Sequence, residues 1–391
     1  MSRGSISAIA GDRMRPRHCP ELDGIRGVAI GLVLMVHLAL SIGVPEDCRG
    51  ALPAPVSSIL GMGWVGVDLF FVLSGFLITG VLVDARERGA SLWKYMYVFF
   101  VRRALRVLPL FVLLLAGAWM AFPEFGAYWR LSAVFLSNYS WSFGVAPPDF
   151  AAVLWSLCVE EHFYLLFPWV VWFMSRRGLA IILLVVIFAT PCIRAIAWNL
   201  GLSVPNIIYP QTQFRIDGLA WGGIVALFIR RPNWSQRDLA FSTALVIIPV
   251  VIAALGSPIG LMRSTTASAA ACAIRYTQIS MTFAGIVLFA YSFSGCRITS
   301  LLRFPPLMRL GRLSYCVYLI HESIFIWGAS LFDGIEPLIL LKIGSIGFVV
   351  LRNVVLVAVT LLLAEISWRW LERPAMQFRD VLGAGDRPHA L

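Results

Sequence analysis

The chain has 391 residues, of which 59% are hydrophobic and 14% are charged, and its mean hydropathy is +0.81. This composition lies outside the usual range of soluble globular domains and predicts an integral membrane protein. The formal net charge of +11 is divided among short segments and forms no continuous basic domain. We therefore expect no nucleic acid partner; membrane lipid headgroups and an anionic cytoplasmic ligand are favoured instead.

Apolar runs of about 20 residues predict an all-α, polytopic membrane helix bundle with about ten transmembrane helices. The predicted spans lie near residues 24–44, 61–83, 104–122, 152–174, 179–198, 212–229, 239–256, 272–292, 313–331 and 338–364. Arginines recur in alternate connections, so the positive-inside rule places those connections and both termini in the cytoplasm. We expect a basic tail over residues 1–20, one transmembrane domain over 21–378 and a polar tail over 379–391.

The first predicted span, DGIRGVAIGLVLMVHLAL, contains both a cation and an imidazole. Eleven residues separate Arg26 from His37. On a helix, that spacing brings the two side chains to within about 20° of one another, with about 16.5 Å of axial rise. Ionisable groups in a span usually face a bundle interior or a wet cavity, so the pair predicts a functional face. Asp23 is placed to hold Arg26 by an ion pair. The alternatives are a snorkelling arginine and a structural histidine.

The second predicted span, GWVGVDLFFVLSGFLITG, contains a carboxylate that needs a partner. We expect Asp68 to meet a basic group from another helix, whether its role is structural or functional. Ser74 and Gly75 favour close helix packing or a local break in the helix. Ser74 is not expected to be a nucleophile, because no GxSxG elbow surrounds it.

An arginine cluster in the segment RRALRVLP precedes the third predicted span. Arg102, Arg103 and Arg106 are expected to project together at the cytoplasmic surface. Guanidinium groups suit phosphate and pyrophosphate, so the cluster is a candidate site for an anionic ligand. The alternative is a role in topology and in contact with lipid headgroups.

The fourth predicted span, VLWSLCVEEHFYLLFP, is rich in polar groups. Trp155, Glu160 and Tyr164 are candidate site residues, and Glu160 and Tyr164 share a face at i,i+4. Glu161 points elsewhere. At least one of the two adjacent carboxylates should meet an arginine, a cavity or water. For Glu160 the alternative is an internal ion pair that fixes helix packing.

Two later segments add further candidates. In FRIDGLAWGG, Arg215 and Asp217 lie at the mouth of the sixth predicted span. In RLSYCVYLIHES, Ser314, Tyr318 and His321 occupy one stripe at i, i+4 and i+7. Their hydroxyls and imidazole line a cavity or cross-link helices, and the sequence leaves both readings open.

Taken in order, these segments resemble the acyltransferase-3 family of bacterial membrane O-acyltransferases. Members of that family acetylate O-antigen, exopolysaccharide, Nod factor, peptidoglycan and some macrolides. The resemblance runs from about residue 21 to residue 374. The motifs that carry it are LDGIRGVAI with Arg26-x10-His37, GVDLFFVLSGFLITG, RRALRVLP, WSLCVEEHFYLLFP, RIDGLAWGG, LSYCVYLIH and LERP.

The resemblance implies that Arg26 and His37 take part in acyl-donor use and transfer, with the arginine cluster on the donor side. Other positions match family motifs without a settled role: Asp68, Ser74, Gly75, Trp155, Glu160, Tyr164, Asp217, Tyr318 and His321. His162 stands where relatives often have Gln, so it inherits no role. No hydrolase-like domain follows the last predicted span, which leaves open whether a separate extracytoplasmic partner completes transfer.

We therefore expect a multi-pass enzyme of the bacterial inner membrane that moves an acyl group, taken to be acetyl, from cytoplasmic acyl-CoA to a glycan hydroxyl. His37 would be the general base, and no permanently bound cofactor or metal is expected. The catalytic candidates are His37, Arg26 and Glu160; the substrate-binding candidates are Arg102, Arg103, Arg106, Asp23, Asp68, Ser74, Trp155, Tyr164, Arg215, Asp217, Tyr318 and His321. The alternatives are an acyltransferase acting on a macrolide or other small metabolite, and a transporter or flippase with a proton relay.

Overall fold

The structure, a computed structural model, describes residues 19–40, 62–231, 268–332 and 336–382, together with Thr243 and Leu245. Across these residues the regular structure is helical and contains no strand, in agreement with the predicted all-α class. The α-helices are α1 (Pro20–Leu40), α2 (Val65–Glu87), α3 (Leu92–Ala121), α4 (Gly126–Ala133), α5 (Leu154–Phe173), α6 (Arg176–Asn199), α7 (Ile216–Ile229), α8 (Ala269–Ser292), α9 (Pro305–Ser330), α10 (Glu336–Ser367) and α11 (Arg373–Leu382).

Six helical segments in the described residues are long and apolar enough to cross a membrane. They are Val65–Glu87, Leu92–Ala121, Asp149–Phe173, Arg176–Asn199, Ala269–Ser292 and Gly347–Gln377. Helix α7 is apolar but shorter, with 14 residues. The predicted span near 239–256 lies outside the described residues except for Thr243 and Leu245. The total of about ten spans and the side of each terminus stay predictions.

Helix α3 begins well before the predicted start near residue 104. Its first turn is capped by Ser91, whose side chain accepts a hydrogen bond from the backbone N–H of Lys94. Arg102, Arg103 and Arg106 therefore lie within the helix and are half-buried. The predicted connection before residue 104 is therefore part of α3, and the projection of the three arginines at the cytoplasmic surface stays a prediction.

Glycines allow the closest helix contacts in the bundle. A Cβ at Gly75 of α2 would lie 1.9 Å from the carbonyl oxygen of Leu219 in α7, and a Cβ at Gly311 of α9 would lie 1.9 Å from the carbonyl oxygen of Asp23 in α1. Only a residue without a side chain permits such an approach between backbones. The α1–α9 and α2–α7 pairs are the most extensively packed helix pairs in the described part of the chain, and they bring polar residues of α1 and α2 next to their partners.

A Gly75→Ala substitution should therefore destabilise the protein, because the added methyl group forces α2 and α7 apart. We expect a loss of about 1–3 kcal/mol, the range of an overpacked core site. Gly117→Ala in α3 is the matched control, since a Cβ there meets nothing within 4 Å and the position is exposed. Unfolding of both purified variants in the same detergent measures the difference. Equal stability of the two variants would contradict the proposed contact.

Candidate active site

Helix α1 carries the two candidate residues of the first span at opposite ends of its length. Arg26 lies in its first half and His37 near its end. The surrounding helix is largely buried, yet 24% of the Arg26 side-chain surface and 25% of the His37 side-chain surface are exposed. Both groups therefore retain accessible surface. We call the surroundings of Arg26 the basic end and those of His37 the histidine end.

The basic end collects guanidinium groups from different helices. Arg26 forms the predicted ion pair with Asp23, at 3.6 Å, and Arg312 of α9 approaches the same carboxylate at 3.6 Å. Arg103 and Arg106 of α3 lie within electrostatic range of Arg26. Carboxylates also lie in electrostatic range of these arginines, among them Asp23, Glu160 and Glu372. The end is thus a cluster of charged groups whose guanidinium groups suit an anionic ligand.

Glu160 of α5 lies within electrostatic range of Arg26. Its carboxylate accepts hydrogen bonds from the Ser74 hydroxyl at 2.7 Å and from the Tyr164 hydroxyl at 2.9 Å. The guanidinium of Arg103 stacks on the Tyr164 ring, 3.9 Å from its centroid. The structure thus brings together four of the predicted site residues, with Glu160 as the acceptor of both hydroxyls. Arg102 lies beside Arg103 on α3 and is half-buried.

The histidine end has a fixed imidazole tautomer. His37 Nδ1 lies 2.8 Å from the carbonyl oxygen of Val33. A carbonyl only accepts, so Nδ1 carries the hydrogen, and the neutral ring has its lone pair on Nε2. The edge of the His37 ring packs against the ring of His321 in α9, with centroids 4.8 Å apart and an interplanar angle of 76°. Nε2 of His37 is therefore the basic atom available for proton transfer.

A carboxylate that the sequence analysis did not select faces this nitrogen. Glu322 Oε1 lies 3.7 Å from His37 Nε2, and Glu322 Oε2 accepts a hydrogen bond from the backbone N–H of Val153 at 3.3 Å. Glu322 follows His321 directly, and its nearly complete burial beside an imidazole marks it as a candidate. Its sequence signal, a carboxylate in the apolar segment YLIHESIF, was present.

Tyr318 and His321 of α9 also lie at the histidine end, where their hydrogen bonds are made with residues other than His37. The Tyr318 hydroxyl is hydrogen-bonded to the Ser156 hydroxyl at 2.6 Å and lies 3.2 Å from the carbonyl oxygen of Val153. His321 is fully buried, and its Nδ1 donates to the carbonyl oxygen of Tyr318 at 2.8 Å. These bonds fix the start of α5 against α9 and thereby position Glu322.

Two buried ion pairs connect the remaining predicted residues. Asp68 of α2 meets Arg215, just before α7, at 2.7 Å, which confirms that a basic group from elsewhere in the fold pairs with this carboxylate. Asp217 pairs with Arg194 of α6, at 3.0 Å, and also accepts a hydrogen bond from Thr277. Both carboxylate oxygens of Asp217 are engaged in this way. The geometry gives Asp217 a role in joining helices.

Aromatic rings surround Arg215. Its guanidinium carbon lies 4.2 Å from the ring centroid of Tyr276, 4.9 Å from that of Tyr209 and 5.5 Å from that of Trp155. Burial raises the pKa of the Tyr209 phenol above its usual value, although Arg215 opposes the shift, so this hydroxyl stays protonated. Trp155 was a predicted site residue, whereas Tyr209 and Tyr276 were not selected.

Comparisons with known proteins agree with this arrangement. The chain is 26% identical over 385 residues to "Peptidoglycan O-acetyltransferase OatA" of Listeria monocytogenes serovar 1/2a (strain ATCC BAA-679 / EGD-e), with 93% of this chain and 56% of the relative covered. It is 27% identical over 389 residues to "O-acetyltransferase OatA" of Staphylococcus aureus (strain NCTC 8325 / PS 47), covering 92% and 57%. The chain thus spans little more than half the length of these relatives.

No solved structure matches the chain. A family model described as an acyltransferase domain matches residues 20–365. That region contains Arg26, His37, Glu160 and Glu322, and it extends over all of α1 to α9. Because the match takes in most of the sequence, the chain belongs to the acyltransferase-3 family of acyltransferase domains.

Proposed function

We propose that this protein is a membrane O-acyltransferase that moves an acetyl group from acetyl-CoA to a hydroxyl of a glycan. The observation that carries the proposal is the placement of an available imidazole nitrogen, on His37, and an arginine set around Arg26 at the two ends of one helix. One end suits an anionic donor and the other suits proton transfer. Such a division fits a long donor whose phosphates and thioester lie far apart.

The donor is acetyl-CoA in this proposal because of the charge at the basic end. Arg26, Arg103 and Arg106 lie within electrostatic range of one another. Guanidinium groups bind phosphate and pyrophosphate through charge-assisted hydrogen bonds. With the phosphates held there, the thioester reaches toward His37 over a distance of the order of the helix rise between the two residues, about 16.5 Å.

The proposed reaction is a direct acyl transfer. The acceptor hydroxyl oxygen attacks the thioester carbonyl carbon while its proton passes to His37 Nε2. The C–S bond then breaks, the thiolate leaves, and the imidazolium returns the proton to the sulfur. The products are an acetyl ester and free CoA thiol. The Nδ1–H bond to the Val33 carbonyl keeps the lone pair of the neutral ring on Nε2 and holds the ring in place.

Glu322 is the residue that supports the charged form of the base in this scheme. Its Oε1 atom faces His37 Nε2 at 3.7 Å, a separation that exceeds a hydrogen bond and leaves Nε2 free of a permanent partner. When His37 takes up the proton, the nearby carboxylate stabilises the imidazolium by charge attraction. Val153 N–H holds the other oxygen and so fixes the carboxylate.

The acceptor is a glycan in this proposal because both relatives described above are named O-acetyltransferases, and the name of the Listeria protein specifies peptidoglycan. A glycan built outside the cell meets the histidine end if the positive-inside rule holds for this chain. The protein then lies in the inner, or plasma, membrane with its basic end toward the cytoplasm.

The test of the proposed function is acetyl transfer by the purified protein in lipid nanodiscs. We expect radiolabel from [acetyl-¹⁴C]acetyl-CoA to appear as an alkali-labile ester on a peptidoglycan fragment or exopolysaccharide oligomer, with release of free thiol. No labelled ester above the level of a protein-free control would contradict the proposal, and so would movement of intact glycan across the membrane of sealed proteoliposomes without thioester loss. The second result would favour a flippase.

Arg103→Gln tests the donor side separately. We expect the KM for acetyl-CoA to rise about tenfold, the effect of one charge-assisted hydrogen bond, with little change in kcat. Arg177→Gln is the matched control, because Arg177 is exposed at the start of α6. Its KM should stay within about twofold of the unaltered protein, since a solvated charge contributes little. An unchanged KM in Arg103→Gln would remove Arg103 from the donor site.

A further inference from the structure

A second cationic cluster lies apart from the basic end, beside the histidine end. Trp64 immediately precedes α2, and its neighbour Gly63 packs closely against Leu32 and Val36, the residue before His37. The guanidinium carbon of Arg275, in the first turns of α8, lies 4.5 Å from the centroid of a Trp64 ring. The cluster is therefore at the level of His37 along α1.

Aromatic rings form a continuous wall in this cluster. The rings of Trp155 and Tyr209 lie 4.7 Å apart, and Trp64 contacts Tyr276 at 5.8 Å and Tyr209 at 6.5 Å between centroids. Trp64, Trp155 and Tyr209 are half-buried, whereas Tyr276 behind them is buried. The ring surfaces that stay accessible thus belong to the wall, and Arg215 and Arg275 contact these same rings.

The charges in this region do not balance. Arg194 is matched by Asp217, and Arg215 is matched by Asp68. Arg275 is 2% exposed, and no carboxylate lies within ion-pair distance of it among the described residues. A buried cation without a counter-charge nearby is unfavourable, so Arg275, which has no ion pair in the part of the chain that the structure describes, is suited to bind a negative group of a ligand.

Several buried polar atoms in this cluster have no hydrogen-bond partner among the described residues. Arg215 Nε and Nη1 and Arg275 Nε are buried and have no hydrogen-bond partner in the part of the chain that the structure describes. Gln278 follows Arg275 by three residues on α8 and is 7% exposed, and neither atom of its amide has a partner there. Buried polar atoms are rarely left unpaired, so these donors and the amide oxygen indicate a place where a further polar group would complete the hydrogen bonding.

We propose that Trp64, Trp155, Tyr209, Arg215, Arg275 and Gln278 form an acidic-sugar site that binds a uronic acid residue of the acceptor glycan. This inference rests on the proposed glycan O-acetyltransferase function and names the class of its acceptor. The planar guanidinium of Arg275 takes the carboxylate, because Arg binds that group in a bidentate manner. The aromatic wall packs on the C–H face of the pyranose ring, whose hydrogens meet the electron-rich ring faces.

The position of the site along α1 then determines which acceptor hydroxyl receives the acetyl group. A uronic acid held at the aromatic wall lies beside the end of α1 that carries His37. Its neighbouring hydroxyls, or those of the next sugar, are directed toward the base. The single uncompensated guanidinium favours one carboxylate over the two charges of a phosphate monoester. A neutral sugar would leave Arg275 unpaired and would bind more weakly.

Ligand binding to the full chain in nanodiscs tests this inference without requiring catalysis. Saturation-transfer NMR with methyl glucuronide and methyl glucoside compares two sugars that differ only at the carboxylate. We expect the glucuronide to bind at least about tenfold more tightly, the usual effect of one charge-assisted contact. Arg275→Gln should remove that preference, and Arg275→Lys, which keeps the charge but loses the planar fork, should reduce it.

Arg130→Gln is the control variant, since Arg130 is exposed on α4 and its loss should leave the preference unchanged. Equal binding of the two sugars by the unaltered protein, or a preference that survives in Arg275→Gln, would overturn the acidic-sugar site. Acetyl transfer to neutral and acidic acceptors alike would leave the proposed function standing and remove only this site. Selective glucuronide binding by a protein that transfers no acetyl group would support the acidic-sugar site and contradict the proposed function.

Discussion

His37→Ala is expected to lower kcat/KM for acetyl transfer by about 10²–10⁴-fold, the range that general-base catalysis contributes. The variant keeps the phosphate site at the basic end, so the KM for acetyl-CoA should change little and the loss should appear in kcat. His37 Nε2 is the atom responsible, because Nδ1 is committed to the Val33 carbonyl. Single-turnover transfer from labelled acetyl-CoA measures the chemical step.

His162→Gln is the matched histidine control. His162 lies on α5, and its Nδ1 is 2.7 Å from the Thr212 hydroxyl, a bond that a glutamine side chain can also make. We expect its transfer rate to stay within about twofold of the unaltered protein. Transfer at the full rate in His37→Ala would defeat the general-base role, whatever the control does.

Arg194→Met should produce the largest loss of stability among single substitutions at these sites. Arg194 is 0% exposed and Asp217 is 1% exposed, so the substitution leaves a carboxylate buried without its counter-charge. Removal of one partner from such a pair costs about 3–5 kcal/mol. Arg194 also donates to the carbonyl oxygens of Phe214, just before α7, and Ala273 of α8, so these hydrogen bonds between α6 and its neighbours would be lost as well.

The double variant Arg194→Met/Asp217→Leu separates lost charge pairing from lost helix contacts. Removal of both charges should restore part of the free energy of unfolding, because no unpaired carboxylate remains. Arg177→Met, at an exposed position, is the control and should be neutral. Reversible unfolding in detergent gives the comparison. A single variant as stable as the unaltered protein would show that this ion pair does not hold the helices together.

Much of the helical frame could be predicted from the sequence because long apolar runs have few structural solutions in a membrane. The described helices coincide with most of the predicted spans. The first residues of helices were harder to predict. Helix α3 begins at Leu92, and its first turns contain Lys94 and several arginines, whose low hydropathy makes a membrane span look unfavourable there. Charged residues that are packed against other helices look like a surface connection when only composition is read.

The candidate site was predicted in part. Within-helix relations such as Asp23 with Arg26 follow from periodicity, and the structure confirms that pair. Partners on other helices do not follow from spacing, since the fold alone brings Glu322 to His37 and Arg194 to Asp217. A single carboxylate or arginine in an apolar run signals that a partner exists, but the identity of that partner depends on helix packing.

The aromatic wall illustrates the same limit. Trp64 lies before α2, Tyr209 lies in the connection between α6 and α7, and Tyr276 lies on α8. From the sequence alone, these three residues are interpreted as ordinary aromatic residues of the membrane interface or the core. Their contact with Arg215 and Arg275 arises only when the three segments meet.

Transfer across a sealed membrane tests the central claim most directly, because the claim is that donor and acceptor reach the two ends of α1 from opposite sides of the membrane. The protein is reconstituted in one orientation in sealed vesicles, with acetyl-CoA on the side of the basic end and an impermeant glycan on the side of the histidine end. We predict acetyl ester on the glycan, with CoA thiol released on the donor side, and neither product with His37→Ala. Transfer that requires both substrates on the same side, or none in any arrangement, would contradict the account.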